Sequence, residues 1–349
     1  MIPRHALLSF LVASAPLFAQ AEIDLRTTAK KSTAVWLVQE DKQTQIIDAS
    51  GQEFETTTTI RRTLQVVVQD ADDKGNLVVE CQIARITGAM AMPMGMGDIE
   101  FDSLDAPKKD DEEEDDGGMM GFSPGAMKKA LTMGAGKSFK AKVSPYGKVV
   151  ELLDGSKELL ASGEEGAMGG NLDQNSLEEM VESAFGNLPE KATAVGAKWQ
   201  HVGKGGKAQM PMESKLELTL AAANDETFEI TANGTIEKPA EKADDKKADA
   251  KGEEEDQAAE MREMLKGMKM KNGKVTGATK ISRKDGFVVD ATTTTNVDVE
   301  METPMGSMNM TMKMVRTINR TNAADAMKKA DAKAEAPKEA AKDETKSGK

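Results

Sequence analysis

Side chains that act as nucleophiles or general bases are scarce in this sequence. Its 349 residues include one cysteine, Cys81, and two histidines, His5 and His201. Acid–base catalysis and zinc sites both need several such groups held together. Because His201 stands alone, we interpret it as a solvent-facing strand residue. A hydrolase, which would need an acid and a nucleophile beside His201, is the weakest functional hypothesis.

Short catalytic motifs are also missing. The sequence contains no HExxH, GxSxG or paired CxxC pattern. The stretch GKGG at 203–206 lacks the strand–loop–helix context of a phosphate-binding loop, so it predicts a polar turn. Cys81 occupies an apolar strand position, where a small buried side chain is favoured over a reactive thiol. We therefore predict that the protein is not an enzyme and has no cofactor.

Methionine is the one side chain in clear excess, with 24 residues. Two runs place it at every second position, which aligns the side chains on one face of a strand. These runs are Met90, Met92, Met94, Met96 and Met308, Met310, Met312, Met314. The favoured interpretation is a flexible core filler, followed by a concave surface for an apolar ligand. A Cu(I) site in either run is the third, because thioethers are soft donors, and Met90, Met92, Met94 and Met96 are the alternative ligands.

The first residues have the features of a signal peptide. Arg4 and His5 precede a short apolar stretch, and Ala19-Gln20-Ala21 matches a cleavage site. We expect residues 1–21 to be removed and the protein to be periplasmic or extracellular. No later apolar run has the length that a membrane-spanning helix requires.

The acidic composition restricts the partners. The formal net charge is −13, which disfavours nucleic acid because phosphates repel an acidic surface. Two charged blocks, at 105–118 and 237–257, are predicted to be disordered inserts. An apolar ligand or an envelope protein remains as the expected partner, and the sequence does not indicate the oligomeric state.

Alternating apolar residues predict antiparallel hairpins. Residues 136–155 form the clearest one, with Phe139, Ala141 and Val143 on one face and a tight turn at 144–147. Its second strand, 149–153, is predicted to be more fully buried. Strands at 33–38, 64–68 and 77–83 precede it. The pattern predicts an α+β fold that is mainly antiparallel β, forming a curved sheet or open barrel with short helices.

The order of elements suggests an internal duplication. The hairpin pattern at 136–155 recurs at 274–292. Each of the two repeated units begins with a strand that contains a tryptophan, Trp36 in the first and Trp199 in the second. We predict unit 1 at 22–172 and unit 2 at 173–322, followed by a disordered Lys/Ala/Glu tail at 323–349. One curved sheet could bring the two tryptophans together near a pseudo-twofold axis.

Two helices have recognisable apolar spacing. Residues 175–188 form the better one, capped by Asn175 or Ser176 and stopped by Pro189. Met261, Met264, Leu265 and Met268 indicate a second, short helix before the hairpin at 274–292.

Several of these segments resemble an uncharacterised domain-of-unknown-function family of exported bacterial proteins, seen especially in planctomycete-like bacteria. The matching segments lie at 56–59, 64–68, 101–103, 136–149, 188–189 and 195–199, within 30–320. Many relatives look like lipoproteins with a cysteine at the mature N-terminus, which this sequence lacks. The resemblance implies no established activity and no functional residues.

These observations lead to one functional hypothesis with an alternative. The first is a non-enzymatic exported protein that binds an apolar or amphipathic ligand, or a partner, on a methionine-lined concave face. The candidate residues are Met308, Met310, Met312, Met314, Trp36 and Trp199. The alternative is a periplasmic Cu(I)-binding protein that uses the methionine runs.

Overall fold

One antiparallel sheet contains all the strands of the computed structural model, which describes residues 22–49, 51–91, 98–105, 124–164, 172–204, 212–238, 267–303 and 306–328. The strands are β1 (Ala34–Ala49), β2 (Gln52–Ala71), β3 (Leu77–Ala91), β4 (Asp98–Asp102), β5 (Ser138–Val143), β6 (Val149–Leu152), β7 (Lys198–Lys204), β8 (Glu213–Ala223), β9 (Thr227–Glu237), β10 (Met268–Ser282), β11 (Val288–Thr303) and β12 (Gly306–Thr321). The helices are α1 (Pro124–Leu131), α2 (Ser156–Glu164), α3 (Gln174–Glu182) and α4 (Ala323–Ala326).

The strand order is β6-β5-β3-β2-β1-β12-β11-β10-β9-β8-β7, and β4 pairs with the C-terminal end of β3. The two ends of this sheet, β6 and β7, are not paired with each other, so the sheet does not close. Strands from the N-terminal half lie on one side and those from the C-terminal half on the other. The two sides join where β1 pairs with β12. The prediction of a mainly antiparallel, open sheet with short helices is confirmed.

The hairpins read from the sequence are present. β5 pairs with β6 around the turn at 144–147. In the similar hairpin predicted at 274–292, β10 pairs with β11. Phe139, Ala141 and Val143 are buried as expected. The prediction that the second strand is more fully buried is wrong, because β6 is an edge strand and Val150 is 59% exposed.

Several strands are much longer than their apolar patterns indicated. β1 continues to Ala49 rather than ending at Val38, and β2 is one continuous strand of 20 residues. The polar half of β1 pairs with β2 and β12, and that of β2 pairs with β1 and β3, so backbone hydrogen bonds extend the sheet beyond the apolar core. Met268, predicted to end a helix, instead begins β10.

Glycines allow neighbouring strands to approach each other closely at two positions. A Cβ atom at Gly88 would lie 2.2 Å from the Thr59 carbonyl oxygen, and one at Gly234 would lie 2.1 Å from the Lys215 carbonyl oxygen. Neither space can hold a larger residue without moving backbone. Glycine inside a strand is typical of a bulge or sharp bend, which is how a long sheet curves.

A helix-covered core occupies the face of the sheet that carries Leu37 and Leu64, which we call the inner face. α3 contributes Leu177, Met180 and Val181 to this first core, and the turns that follow add more buried side chains. The helix begins after Asp173, whose carboxylate accepts the Ser176 amide hydrogen, and ends at Glu182. The predicted caps, Asn175 and Ser176, and the predicted end at Leu188 are therefore wrong.

The two tryptophans do not meet. Trp36 lies on β1 in the middle of the sheet and alternates with Val35 and Leu37, so its side chain lies on the other, outer face. Trp199 lies on edge strand β7, packs against the first core, and donates its indole hydrogen to the Asn187 carbonyl oxygen at 3.1 Å. The predicted pairing near a pseudo-twofold axis is therefore wrong.

The predicted tail is folded at its start. α4 lies on the outer face, where the Thr63 hydroxyl donates to the Ala326 carbonyl oxygen at 3.1 Å. The Arg85 guanidinium donates to the Met327 carbonyl oxygen and forms a buried ion pair with Asp102. These contacts satisfy carbonyls that a helix end leaves without partners.

Some predictions fall outside the described residues. These are the signal peptide at 1–21, most of the two charged inserts, the short helix at 261–266 and the tail after 328. The division into two duplicated units stays a prediction. Within the described ranges, no helix is long and apolar enough to cross a membrane.

Candidate apolar binding site

A second apolar cluster lies on the inner face, beyond the part that the described helices cover. We call it the methionine cluster. Its buried members are Ile236, Met268, Val275, Val297, Val299, Met301, Met310 and Met312, and Ile47, Met212, Leu216, Met270 and Met308 pack against them. All of these belong to strands except Met212, which directly precedes β8.

Sheet register explains why these side chains share a face. Met308, Met310 and Met312 on β12 lie opposite Met301, Val299 and Val297 on β11. On the other side of β12, Ile47 lies opposite Met310. Directly paired residues of antiparallel strands point to the same face, so the period-two methionines become one row.

Methionine is concentrated in this cluster and almost absent from the first core. Of the 32 described residues buried in the first core, Met180 is the one methionine. The methionine cluster has four among its eight described buried members, which include no aromatic residue. Because both clusters lie on the same sheet face, a general shortage of larger apolar residues does not explain the difference.

On β1, β2 and β12, a polar belt lies between the two clusters. It consists of Gln39, Asp41, Arg62 and Arg316 on the sheet, with Glu179 of α3 above them. Asp41 accepts from Arg62 Nη1 at 2.7 Å and from Arg316 Nε at 2.5 Å, and it also accepts from Gln39 Nε2 at 3.0 Å. Arg316 also donates to Glu179.

The charges of the belt stabilise each other. Burial alone would raise the pKa of Asp41, but Arg316 and Arg62 outweigh it and hold that pKa below its usual range. Burial alone would lower the pKa of Arg316, but Asp41 and Glu179 raise it instead. The belt is therefore charged at neutral pH, and it marks the polar end of the methionine cluster.

One polar group reaches into the cluster from its side. Gln45 Nε2 lies 2.9 Å from Met310 Sδ, with the amide donating to the thioether. Gln45 shares the inner face with Ile47 because they are two residues apart on β1. A polar amide thus lies next to a thioether of the cluster.

The structure brings together only part of the predicted site. Met310 and Met312 are buried in the cluster, and Met308 and Met314 are half-buried on the same face. The two tryptophans lie elsewhere, Trp36 on the outer face and Trp199 against the first core. Of the alternative copper ligands, Met90 ends up on β3, whereas Met92, Met94 and Met96 lie outside the described residues.

Two residues were considered for catalysis, and the structure places His201 half-buried and Cys81 buried. His201 is half-buried rather than solvent-facing, because β7 points it to the same face as Trp199. Burial and the charge of Lys148 lower its pKa. Burial raises the pKa of the Cys81 thiol to about 12, so this thiol is protonated at neutral pH. Among the described residues, no three His, Cys, Asp or Glu side chains are placed to hold a metal.

A shallow polar groove of about 300 Å³ lies on the outer face beside α4. Its lining residues are Val38, Glu40, Arg61, Thr317, Asn319, Arg320, Thr321 and Asp325. This composition does not suit an apolar molecule, so the methionine cluster remains the better candidate.

Sequence reasoning missed the belt and most of the cross-strand partners of the methionine row. Arg316 could have been found, because it continues the period-two row of Met308 to Met314. Arg62 and Asp41 could not, since their position depends on how β1, β2 and β12 pair.

Comparison with known proteins gives a family without a known role. A family model described as "Family of unknown function (DUF6263)" matches residues 74–288. No curated protein matches the chain. One matching solved structure is titled "Lipid-protein interactions in lipovitellin"; it is 7% identical, with a TM-score of 0.45. The match covers 84% of this chain and 25% of the lipovitellin chain, so this chain spans about a quarter of that one. A likeness this distant says nothing about function.

Proposed function

The chain belongs to the DUF6263 family of unknown function, and we propose that it is an exported, non-enzymatic protein that binds an amphipathic ligand at the methionine cluster. The observation that carries this proposal is the concentration of methionine in one of two clusters on the same sheet face. A purely structural core of this sheet is built from Leu, Val, Ile and Phe, as the first core shows.

The chemistry of methionine suits an apolar molecule of variable shape. Its side chain is unbranched and polarisable, and proteins use it at surfaces that adapt to different partners. Val297, Val299 and Met310 provide an apolar floor, and none of the described members of the cluster has a rigid aromatic ring. An alkyl chain is therefore the favoured ligand part, at about 0.8 kcal/mol for each methylene buried.

The surroundings of the cluster favour a ligand that also has a polar end. The belt of Asp41, Arg62 and Arg316 lies at one end of the cluster, and Gln45 lies at its side. Binding sites for small molecules are mostly apolar, with a few polar groups that fix orientation. We expect the polar end of the ligand to lie near these groups.

A non-enzymatic role is supported by the side chains that a reaction would need. His201 has a pKa lowered by burial, and the thiol of Cys81 has a raised pKa. The Cys81 thiol is therefore protonated at neutral pH and is not poised as a nucleophile. Export is supported by the signal-peptide pattern of the first 21 residues.

The test is to identify what the protein carries. The full chain, purified from its expression host without detergent, should be analysed by native mass spectrometry and by organic extraction. We expect an adduct of lipid or fatty-acid mass that denaturation releases. If the native and denatured masses agree, and added long-chain fatty acids form no adduct, then the proposal is wrong.

A further inference from the structure

Three methionines from three neighbouring strands lie directly opposite each other at one end of the methionine cluster. Met268 on β10 pairs with Met301 on β11, and Met301 pairs with Met308 on β12. All three belong to the cluster, so their side chains are on the inner face. Met268 and Met301 are buried, and Met308 is half-buried.

This arrangement can bring three sulfur atoms to one point. Directly opposed residues of antiparallel strands have Cβ atoms about 4.5–5.5 Å apart. Each methionine has three rotatable side-chain bonds beyond its backbone, so the outer two thioethers can turn towards the central one. Two more thioethers follow in the next row, Met270 on β10 and Met310 on β12, with Val299 between them.

The donor set selects the kind of ion. Thioethers are soft, neutral ligands that favour Cu(I) over hard ions such as Mg²⁺ or Ca²⁺. An ion held by them keeps its own charge, and a single positive charge is the least costly to bury. We propose that Met268, Met301 and Met308 form a binding site for a monovalent soft metal ion of the Cu(I) class.

This site differs from the two runs that the sequence suggested, because it keeps Met308 from one of them and adds residues of two other strands. Each run is a short stretch of sequence, whereas the row at Met301 combines three strands. Only sheet pairing could reveal it, because Met268 and Met308 are 40 positions apart in the sequence. The proposal is independent of the amphipathic ligand, since the metal site needs only the end of the cluster.

The test uses Ag(I), which has the same charge and softness and no redox chemistry under the assay conditions, and Cu(I) under anaerobic conditions. Full-length protein is titrated with Ag(I) in chloride-free buffer by calorimetry, and with Cu(I) against the chelator bathocuproine disulfonate. We expect saturable binding of one ion per chain. X-ray absorption of the Cu(I) form should show sulfur as the nearest neighbours.

Conservative variants locate the site. Met301→Leu should weaken binding at least about tenfold, because even groups that only orient a ligand contribute 10–100-fold. Met180→Leu in the first core should bind as the unmodified protein does. A variant with leucine at Met90, Met92, Met94 and Met96 should also retain binding.

Three results would overturn the proposal. They are no saturable binding, equal binding by Met301→Leu with circular dichroism unchanged, or loss of binding in the Met90 to Met96 variant alone. Binding of a fluorescent fatty acid by Met301→Leu should be retained, so failure of the metal site is distinguishable from failure of the proposed ligand site.

Discussion

Removing the charge of Asp41 should destabilise the fold more than any surface substitution. Asp41→Asn keeps the shape of the side chain but leaves Arg62 without its carboxylate and Arg316 with Glu179 alone. Breaking a buried ion pair by removing one partner costs about 3–5 kcal/mol. Here Arg62 and Arg316 keep 20% and 24% of their side-chain surface in contact with solvent, which softens the penalty. We therefore expect the lower end, about 3 kcal/mol.

Urea denaturation followed by circular dichroism measures this loss, and an exposed pair provides the control. Lys215 and Glu237 also form a close ion pair, at 2.6 Å, with about half of each side chain exposed. Because such pairs contribute little, Glu237→Gln should leave the free energy of unfolding almost unchanged.

A compensating variant tests the reason for the loss. Replacing Asp41, Arg62 and Arg316 together by Leu, Met and Met removes the buried charges at once and should recover most of the stability. A loss below about 1 kcal/mol for Asp41→Asn, or an equal loss for Glu237→Gln, would refute the view that the belt is buried and mutually stabilised.

Three further predictions concern a glycine in β9, the effect of pH and helix α4. Gly234→Ala should cost about 1–3 kcal/mol in urea denaturation, because its Cβ atom would lie 2.1 Å from the Lys215 carbonyl oxygen. Because the pKa of Asp41 is lowered in the folded state, its carboxylate contributes stability above the unfolded-state pKa of about 3.9. This contribution is lost as the pH falls from that value through the folded-state pKa. The stability difference between the native chain and Asp41→Asn should therefore be constant above about pH 5 and shrink below it; a difference unchanged at pH 2 would contradict this. Thr63→Val removes the donor to the Ala326 carbonyl oxygen and should cost about 1 kcal/mol, with faster amide exchange in α4.

The fold class was accessible from sequence because strand alternation is local. The spacing of Phe139, Ala141 and Val143 alone predicts a strand with one buried face, and the turn at 144–147 predicts that this strand belongs to a hairpin. Strand lengths were not accessible. The polar half of β1, from Gln39 to Ala49, forms a strand because β2 and β12 supply hydrogen-bond partners on both sides.

The sequence predicts that the methionines of β12 lie in one row, but it does not predict which residues of other strands lie beside that row. Period two places Met308 to Met314 on one face of a strand. It does not say that Met301 and Met268 lie opposite, nor that Arg316 meets Asp41, since both facts depend on pairing between distant segments. The tryptophan pairing failed for the same reason, because Trp36 and Trp199 belong to strands far apart in the sheet.

The central claim is that the methionine cluster binds an amphipathic ligand, and one titration tests it most directly. Fluorescence of cis-parinaric acid is followed as it is added to delipidated full-length protein, to Met310→Gln/Met312→Gln and to Thr311→Gln/Lys313→Gln. The first variant makes the apolar floor polar at similar side-chain length. The second changes exposed residues of the same strand.

We expect saturable binding by the native chain and by the exposed-residue variant, and at least a tenfold weaker affinity for Met310→Gln/Met312→Gln, equivalent to about 1.4 kcal/mol. Competing fatty acids should bind about tenfold more tightly for each two added methylenes. Equal affinity for all three proteins, with circular dichroism showing each of them folded, would contradict the account.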